Sequence, residues 1–284
     1  MGEKNTWTLV TGASGGIGRE LAEIFAENGH NVILVARSED KLVELRDRLT
    51  AEHGVEARVI TADLSLPDAA ERLHEQTLGL VVDNLVNNAG FGDWGGFLDS
   101  DWERQEQMVQ VNITALMQMC RLYGRDMRER GFGHILNLSS VAAFCAGPYM
   151  SVYYATKAYV LSFSQALSEE LAGTGVTATA LCPGPTNTGF ESSARMKDSK
   201  MFTALHPAKA HDVAQRGYEA MQEGKAVAYH SATTKLMNVG SRLISRRAAR
   251  RFAAGVNGHP QEAEGLQAAQ EAQETQEAQE AAGE

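Results

Sequence analysis

The chain has only three cysteines in 284 residues, Cys120, Cys145 and Cys182, with neither a CxxC spacing nor a paired histidine. That argues against both a disulfide framework and a bound zinc ion, and no metal site is expected. No apolar run is long enough to span a bilayer. Met1 to Thr6 is polar rather than leader-like, so a soluble, cytoplasmic protein is the expectation. Positive charge is also scarce. The formal net charge is −10, and seven Glu with no Lys or Arg fall in the last 24 residues. The remaining body is only mildly acidic, and a nucleic-acid-binding surface is not indicated.

What is present suits one large core: 43% of residues are hydrophobic, enough for a single α/β domain of this length. Short apolar segments alternate with longer helical patterns, the signature of a doubly wound parallel sheet, a Rossmann-type fold. Strands are predicted at Trp7–Val10, Val32–Ala36, Arg58–Thr61, Asn84–Val86, His134–Leu138, Thr177–Leu181 and Ala226–Tyr229. Helices are predicted to start near Gly16, Glu39, Pro67, Asp101, Ser151 and Ala210, with 101–129 as one long helix. The stretch 185–208 reads as a mobile segment. The expected organisation is a domain over 1–232, a basic helix over 233–256 and a disordered acidic tail over 257–284, whose Glu271, Glu274, Glu277 and Glu280 recur every third residue.

Leu9-Val10 leads into Thr11-Gly12-Ala13-Ser14-Gly15-Gly16-Ile17-Gly18, a strand, a glycine turn and a helix start. Gly12 permits the turn, Gly16 lets backbone approach a pyrophosphate, and Gly18 permits close helix–strand packing. The free amides of the helix N-terminus then face the phosphates, with Ser14 and Ile17 beside them. A purely structural turn is the competing reading. The second strand lacks a carboxylate at its end, where an NAD-type site would place one for the ribose 2′-OH. It ends instead in Arg37, whose permanent charge and planar fork suit a 2′-phosphate, so NADP(H) is the expected cofactor. Asp63, after the third strand, could bond the adenine amino group or could simply head a helix. Asn88, Ala89 and Gly90 end the fourth strand with small residues that let backbone lie against the cofactor.

Tyr153 precedes Lys157 by four residues on a predicted helix, which puts both on one face. Ser140 and Asn112 lie upstream, and the set reads as an acid/base site for hydride transfer. Taken one by one, each residue also has an ordinary structural reading. Tyr154 is the rival phenol.

The set TGASGGIG (11–18), NNAG (87–90), Asn112, Ser140, YYATK (153–157) and PGPTNT (183–188) resembles the short-chain dehydrogenase/reductase family over roughly residues 7–230. Two segments, 87–97 and 181–190, also resemble the branch near 3-oxoacyl reductases. Beside this resemblance, the chemistry of the set gives Tyr153 as the group that would move a proton to or from the substrate oxygen, its pKa lowered by Lys157 together with the charge of the oxidised nicotinamide ring, while Ser140 would hold that oxygen. The resemblance implies that Lys157 also reaches the nicotinamide ribose and Asn112 anchors a relay water. It implies further that Pro183, Gly184, Thr186 and Thr188 flank the cofactor, Thr186 and Thr188 holding its carboxamide or phosphates. A homodimer or homotetramer through the helices at 101–129 and 151–172 is the family expectation.

Phe91, Trp94, Phe144, Tyr149, Met150, Phe190, Met196, Met201 and Phe202 gather on loops at one sheet edge, which suggests a small-molecule substrate that is a bulky, apolar ketone. A 3-oxoacyl thioester is the alternative substrate, and a cofactor-binding sensor with little catalysis the alternative class. Residues 233–252 carry Lys235 and five arginines without an acid. They read as a helix packed on its own domain with a solvated basic face. Docking to an acidic carrier, to coenzyme A phosphates or to a membrane surface is the alternative.

Overall fold

A computed structural model describes residues 6–194, 196 and 207–258. Seven parallel strands form the central sheet: β1 (Thr6–Thr11), β2 (Asn31–Ala36), β3 (Ala57–Thr61), β4 (Val81–Asn87), β5 (Gly133–Leu138), β6 (Val176–Cys182) and the edge strand β9 (Val227–Tyr229). Their spatial order is β3-β2-β1-β4-β5-β6-β9. Two further strands, β7 (Thr186–Asn187) and β8 (Ala208–Lys209), pair only with each other. The helices are α1 (Gly16–Glu27), α2 (Glu39–His53), α3 (Ala69–Gln76), α4 (Trp102–Val109), α5 (Leu116–Arg130), α6 (Ser151–Glu170), α7 (Phe190–Ser193), α8 (Ala210–Gln222), α9 (Ala232–Leu243) and α10 (Arg246–Asn257).

The sheet strands are apolar on both faces because helices cover both. Val32 and Leu34 of β2 pack with Leu21 and Phe25 of α1 and with Val213 and Met221 of α8. Ile33 and Val35, pointing the opposite way at a period of two, join Met119 and Tyr123 of α5 and Val160 of α6. After β3 the chain crosses back to pair β4 with β1, so the strand order reverses between β1 and β4. A crevice opens outside the carboxyl ends of the strands at such a switch point.

Several boundaries differ from the sequence reading. The predicted 101–129 helix is broken into α4 and α5 by a π-helical turn at Gln110–Ala115. The helix expected near Pro67 starts at Ala69, after a turn in which Asp63 and Leu66 carbonyls accept backbone bonds. Within 185–208 the described residues form β7, α7 and the start of β8, which pairs with β7, while 195 and 197–206 lie outside the described residues. The basic helix is two helices, because Ile244 adopts an extended conformation (ψ 155°) at the end of α9 and Ser245 then caps α10. Met201, Phe202 and the acidic repeat at 271–280 lie outside the described residues.

Candidate active site

The glycine turn and the end of β4 form one hydrogen-bonded unit. Gly12 (φ 67°) and Gly16 (φ 55°) take left-handed backbone that favours glycine. A Cβ on Gly12 would lie 2.7 Å from the Asn88 amide, and one on Gly16 would lie 2.8 Å from Thr188 Cβ. Asn88 Nδ2 donates to the carbonyls of Thr11 (2.9 Å) and Gly12 (3.2 Å). Thr11 Oγ1 accepts from the amides of Asn88 and Ala89, both at 3.0 Å, and donates to Val86 O. Thr11 thus holds the two phosphate-side loops together, a role the motif contained without revealing. The N-terminus of α1 has no side-chain cap, so its first amides stay available beside the crevice.

A cavity of about 740 Å³ runs from this turn to the helix α6. Of the predicted site residues it is lined by Gly12, Ser14, Gly16, Ile17, Arg37, Asp63, Asn88, Ala89, Gly90, Ser140, Tyr153, Lys157, Pro183, Gly184, Thr186 and Thr188. Gly18 and Asn112 do not line it. Gly18 is buried behind the turn, where a Cβ would strike the Asn88 amide and the Gly12 carbonyl. At one end of the cavity Arg37, Ser38 and Lys41 come together, all exposed. Lys41 escaped the sequence reading because the first turn of α2 carries no motif. Asp63 Oδ1 accepts from the Ser65 amide at 3.0 Å, and its second oxygen has no hydrogen-bond partner among the described residues.

At the other end α6 brings Tyr153 and Lys157 onto one face. Burial pushes the Tyr153 phenol up to about 12, while its hydrogen bond with Ser140 pulls the other way. Burial also draws the Lys157 ammonium down to about 8. Lys157 Nζ donates to Leu138 O at 2.7 Å and lies 5.7 Å from the centre of the Tyr153 ring. This burial opposes the lowering of the Tyr153 pKa expected from Lys157 together with the charge of the oxidised nicotinamide ring. The ammonium is turned to a strand carbonyl, and desolvation dominates both groups.

The Tyr154 hydroxyl donates to Asn257 Oδ1 at 2.9 Å, so the rival phenol is occupied elsewhere. Asn112, 1% exposed, sits in the π-helical turn. Its Oδ1 accepts from Phe91 N (3.1 Å), and its Nδ2 donates to Phe91 O (2.9 Å) and Thr156 Oγ1 (3.0 Å). Both amide hydrogens are thus engaged with protein, and the side chain clamps the loop after β4 to α6.

Phe91, Met150 and Phe190 line the cavity next to Tyr153, with Trp94 and Met196 in the same apolar cluster. Phe144 instead packs toward Tyr229, and Tyr149 does not reach the cavity. Tyr149 is the one non-glycine residue with positive φ (64°) among the described residues, immediately before Met150. Arg104 and Gln107 also line the cavity, although the sequence singled out no charged or polar group on the substrate side. Arg104 is held by Asp93 (Nε to Oδ1, 2.8 Å) over the Phe91 ring at 5.0 Å.

The residue least visible in the sequence is Asn257. The acidic tail was expected to begin there, with too few apolar groups to dock. Instead Asn257 ends α10, is fully buried, and ties two loops and helix α6 together. Its Nδ2 donates to Pro148 O (2.7 Å), its Oδ1 accepts from Tyr154, and its carbonyl accepts from Trp94 Nε1 (3.0 Å). No local pattern marks such a residue, because its partners lie 103 to 163 positions away.

A family model described as short chain dehydrogenase matches residues 6–199. A 7beta-hydroxysteroid dehydrogenase of Collinsella aerofaciens is 34% identical over 182 residues, which are 64% of this chain and 69% of the relative. A very-long-chain 3-oxoacyl-CoA reductase of Rattus norvegicus is 35% identical over 182 residues, 62% of this chain and 58% of that protein. Among solved structures, a 7beta-hydroxysteroid dehydrogenase studied for its stereoselectivity superposes with a TM-score of 0.80 at 27% identity, covering 88% of this chain and 96% of its own. A short-chain dehydrogenase from Sphingobium yanoikuyae in complex with NADPH gives 0.76 at 32% identity, with 84% and 93% covered.

Proposed function

The chain belongs to the short-chain dehydrogenase family, and from that premise we propose that it is an NADP(H)-dependent reductase of a moderately apolar ketone, reversible as an alcohol dehydrogenase. That it is an oxidoreductase binding a nicotinamide cofactor follows from the family. The observation carrying the finer reading is that Ser140, Tyr153 and Lys157 together line one end of a cavity whose other end lies between Arg37, Lys41 and the uncapped start of α1.

The residues present fit a dinucleotide phosphate. Open amides and the positive end of α1 face the pyrophosphate position, and Arg37 with Lys41 offers two cations to a 2′-phosphate. Asp63 has an oxygen available for the adenine. Thr186 and Thr188, tied into the loop after β6 by bonds to Gly184 O and Thr186 O, would hold the carboxamide or the phosphates, Thr188 lying against Gly16 of the turn. When bound, the cofactor supplies the hydride that reaches the carbonyl carbon.

Ser140 Oγ holds the carbonyl oxygen and fixes its orientation. Tyr153 donates its phenolic proton to that oxygen as the C=O bond becomes C–O–H, and takes it back in the reverse direction. Lys157, one helical turn from Tyr153, stabilises the phenolate left behind. Asn112 uses its side chain on Phe91 and Thr156, so it positions the loop after β4 against α6 rather than turning that side chain to a relay water. The wall of Phe91, Met150, Phe190 and Tyr154 excludes water and favours bulky apolar substrates. A 3-oxoacyl thioester is the second reading, favoured by Arg104 and Gln107 on the cavity wall, which could meet a polar acyl carrier. The exposed Val109, Met117 and Tyr159 of α4–α6 support assembly as a dimer or tetramer.

The deciding experiment follows loss of NADPH absorbance against a panel of ketones, steroids and 3-oxoacyl thioesters. Turnover of one class, abolished in Tyr153→Phe with NADPH binding retained, is expected. Full activity in that variant would sink the mechanism, and tight cofactor binding without any turnover would favour a sensor.

A further inference from the structure

Helix α9 is inside out. An amphipathic helix on a globular surface turns its apolar stripe inward, yet α9 packs through Thr234, Asn238 and Ser241. Thr234 is buried, Asn238 donates to the Tyr229 hydroxyl, and Ser241 is half-buried. Leu236, Val239 and Leu243, at steps of three and four along the opposite side, face solvent, Leu236 being 69% and Leu243 81% exposed. Ile244 continues this surface into the corner with α10, where Phe252 is 66% exposed.

The same stretch is strongly basic. Residues 231–258 hold Lys235, Arg242, Arg246, Arg247, Arg250 and Arg251 and no Asp or Glu, in a chain whose net charge is −10. All six cations are exposed, and none makes an ion pair among the described residues.

We propose that the α9–α10 corner is a docking surface that seats this protein on an anionic lipid bilayer, the leucines and Phe252 entering the interface and the arginines meeting the headgroups. Large apolar tips interspersed with arginines are what an interfacial helix requires, since the guanidinium groups stay at headgroup level while apolar side chains descend. A second copy is a poor occupant, because a two-fold contact would set six cations against six. A folded acidic protein needs a matching concave partner surface for each protruding side chain, whereas acyl chains accept single tips without one. None of the residues lining the catalytic cavity comes from 231–258, so the surface is separate from that site. The inner side of α10 nevertheless packs Ala253 against the cluster containing Tyr153, Tyr154 and Met150. Docking therefore brings the apolar wall of the cleft close to lipid.

The test is co-sedimentation of the full chain with vesicles of phosphatidylcholine, with and without about one-third phosphatidylglycerol. Binding only to the anionic vesicles is expected. Arg247→Gln with Arg251→Gln should weaken it roughly 25-fold, about fivefold for each charge removed. Leu236→Ser with Leu243→Ser should abolish the binding that survives at physiological salt. Thermal melting and NADPH binding report that each variant is folded, and both readouts stand whatever ketone the enzyme takes. No binding to anionic vesicles overturns the proposal, as does unchanged binding by the leucine variant. So does dissociation of an oligomer by that variant with lipid binding intact, or capture of an acidic carrier protein in the absence of vesicle binding.

Discussion

Asn257→Ala removes one side chain from the last turn of α10 and tests whether this helix holds the substrate side of the cleft. The substitution leaves the Tyr154 hydroxyl and the Pro148 carbonyl without their partner. A hydrogen-bonding group left unsatisfied in the interior costs about 1–3 kcal/mol, so the pair amounts to roughly 2–6 kcal/mol. The other buried contacts of α10 are the methyl groups of Ala249 and Ala253, each worth about 1 kcal/mol or less. With the Trp94 Nε1 bond to the Asn257 carbonyl, which the substitution leaves in place, these two hydrogen bonds hold the last turn of the helix down. Local release of α10, hinged at Ile244 and Ser245, should precede global unfolding. Hydrogen exchange of the α10 amides should accelerate at least about 30-fold, the equivalent of 2 kcal/mol. The KM for an apolar ketone should rise as Tyr154 and the loop before α6 loosen. NADP(H) affinity should hold, because Arg37 and Lys41 lie at the far end of the cavity. Asn257→Asp keeps an acceptor for Tyr154 while losing the donor to Pro148, and should fall between the two. Unchanged α10 protection together with an unchanged KM in the alanine variant would refute the argument.

Three other outcomes follow from the site. Arg37→Asp should move cofactor preference from NADP(H) toward NAD(H), and Lys41→Ala should weaken NADP(H) without improving NAD(H); steady-state kinetics with both cofactors decides, and an unmoved preference counts against the 2′-phosphate reading. Lys157 has a folded pKa of about 8 against an ordinary 10.5. Between those values the unfolded chain binds more protons than the folded one, so stability rises with pH across that window. Relative to Lys157→Met, the native protein without cofactor should gain about 3 kcal/mol from pH 8 to 10.5 in urea melts, and a flat difference would contradict a buried ammonium. Gly18→Ala would drive a methyl into the Asn88 amide and the Gly12 backbone. It should lower the melting temperature and abolish cofactor binding, whereas Gly240→Ala, with open space around it and no left-handed φ, should leave both intact.

The glycine turn, the run of apolar strands and the Tyr153–Lys157 pair were legible in the sequence because each is governed by short-range rules. Left-handed glycines declare a tight turn, β2 is a continuous apolar segment because both its faces are covered, and four residues make one helical turn. Those rules determine the doubly wound sheet and which side chains flank the switch point between β1 and β4. They do not reach across the chain. Only the tertiary structure decided that the basic segment bends at Ile244, that α9 turns its leucines outward, and that Asn257 closes on Tyr154, because these depend on partners contributed by distant loops. The same reason explains Lys157. The sequence places its charge beside Tyr153, but packing turned the ammonium to the Leu138 carbonyl and buried both groups, and it is burial that sets their proton affinities.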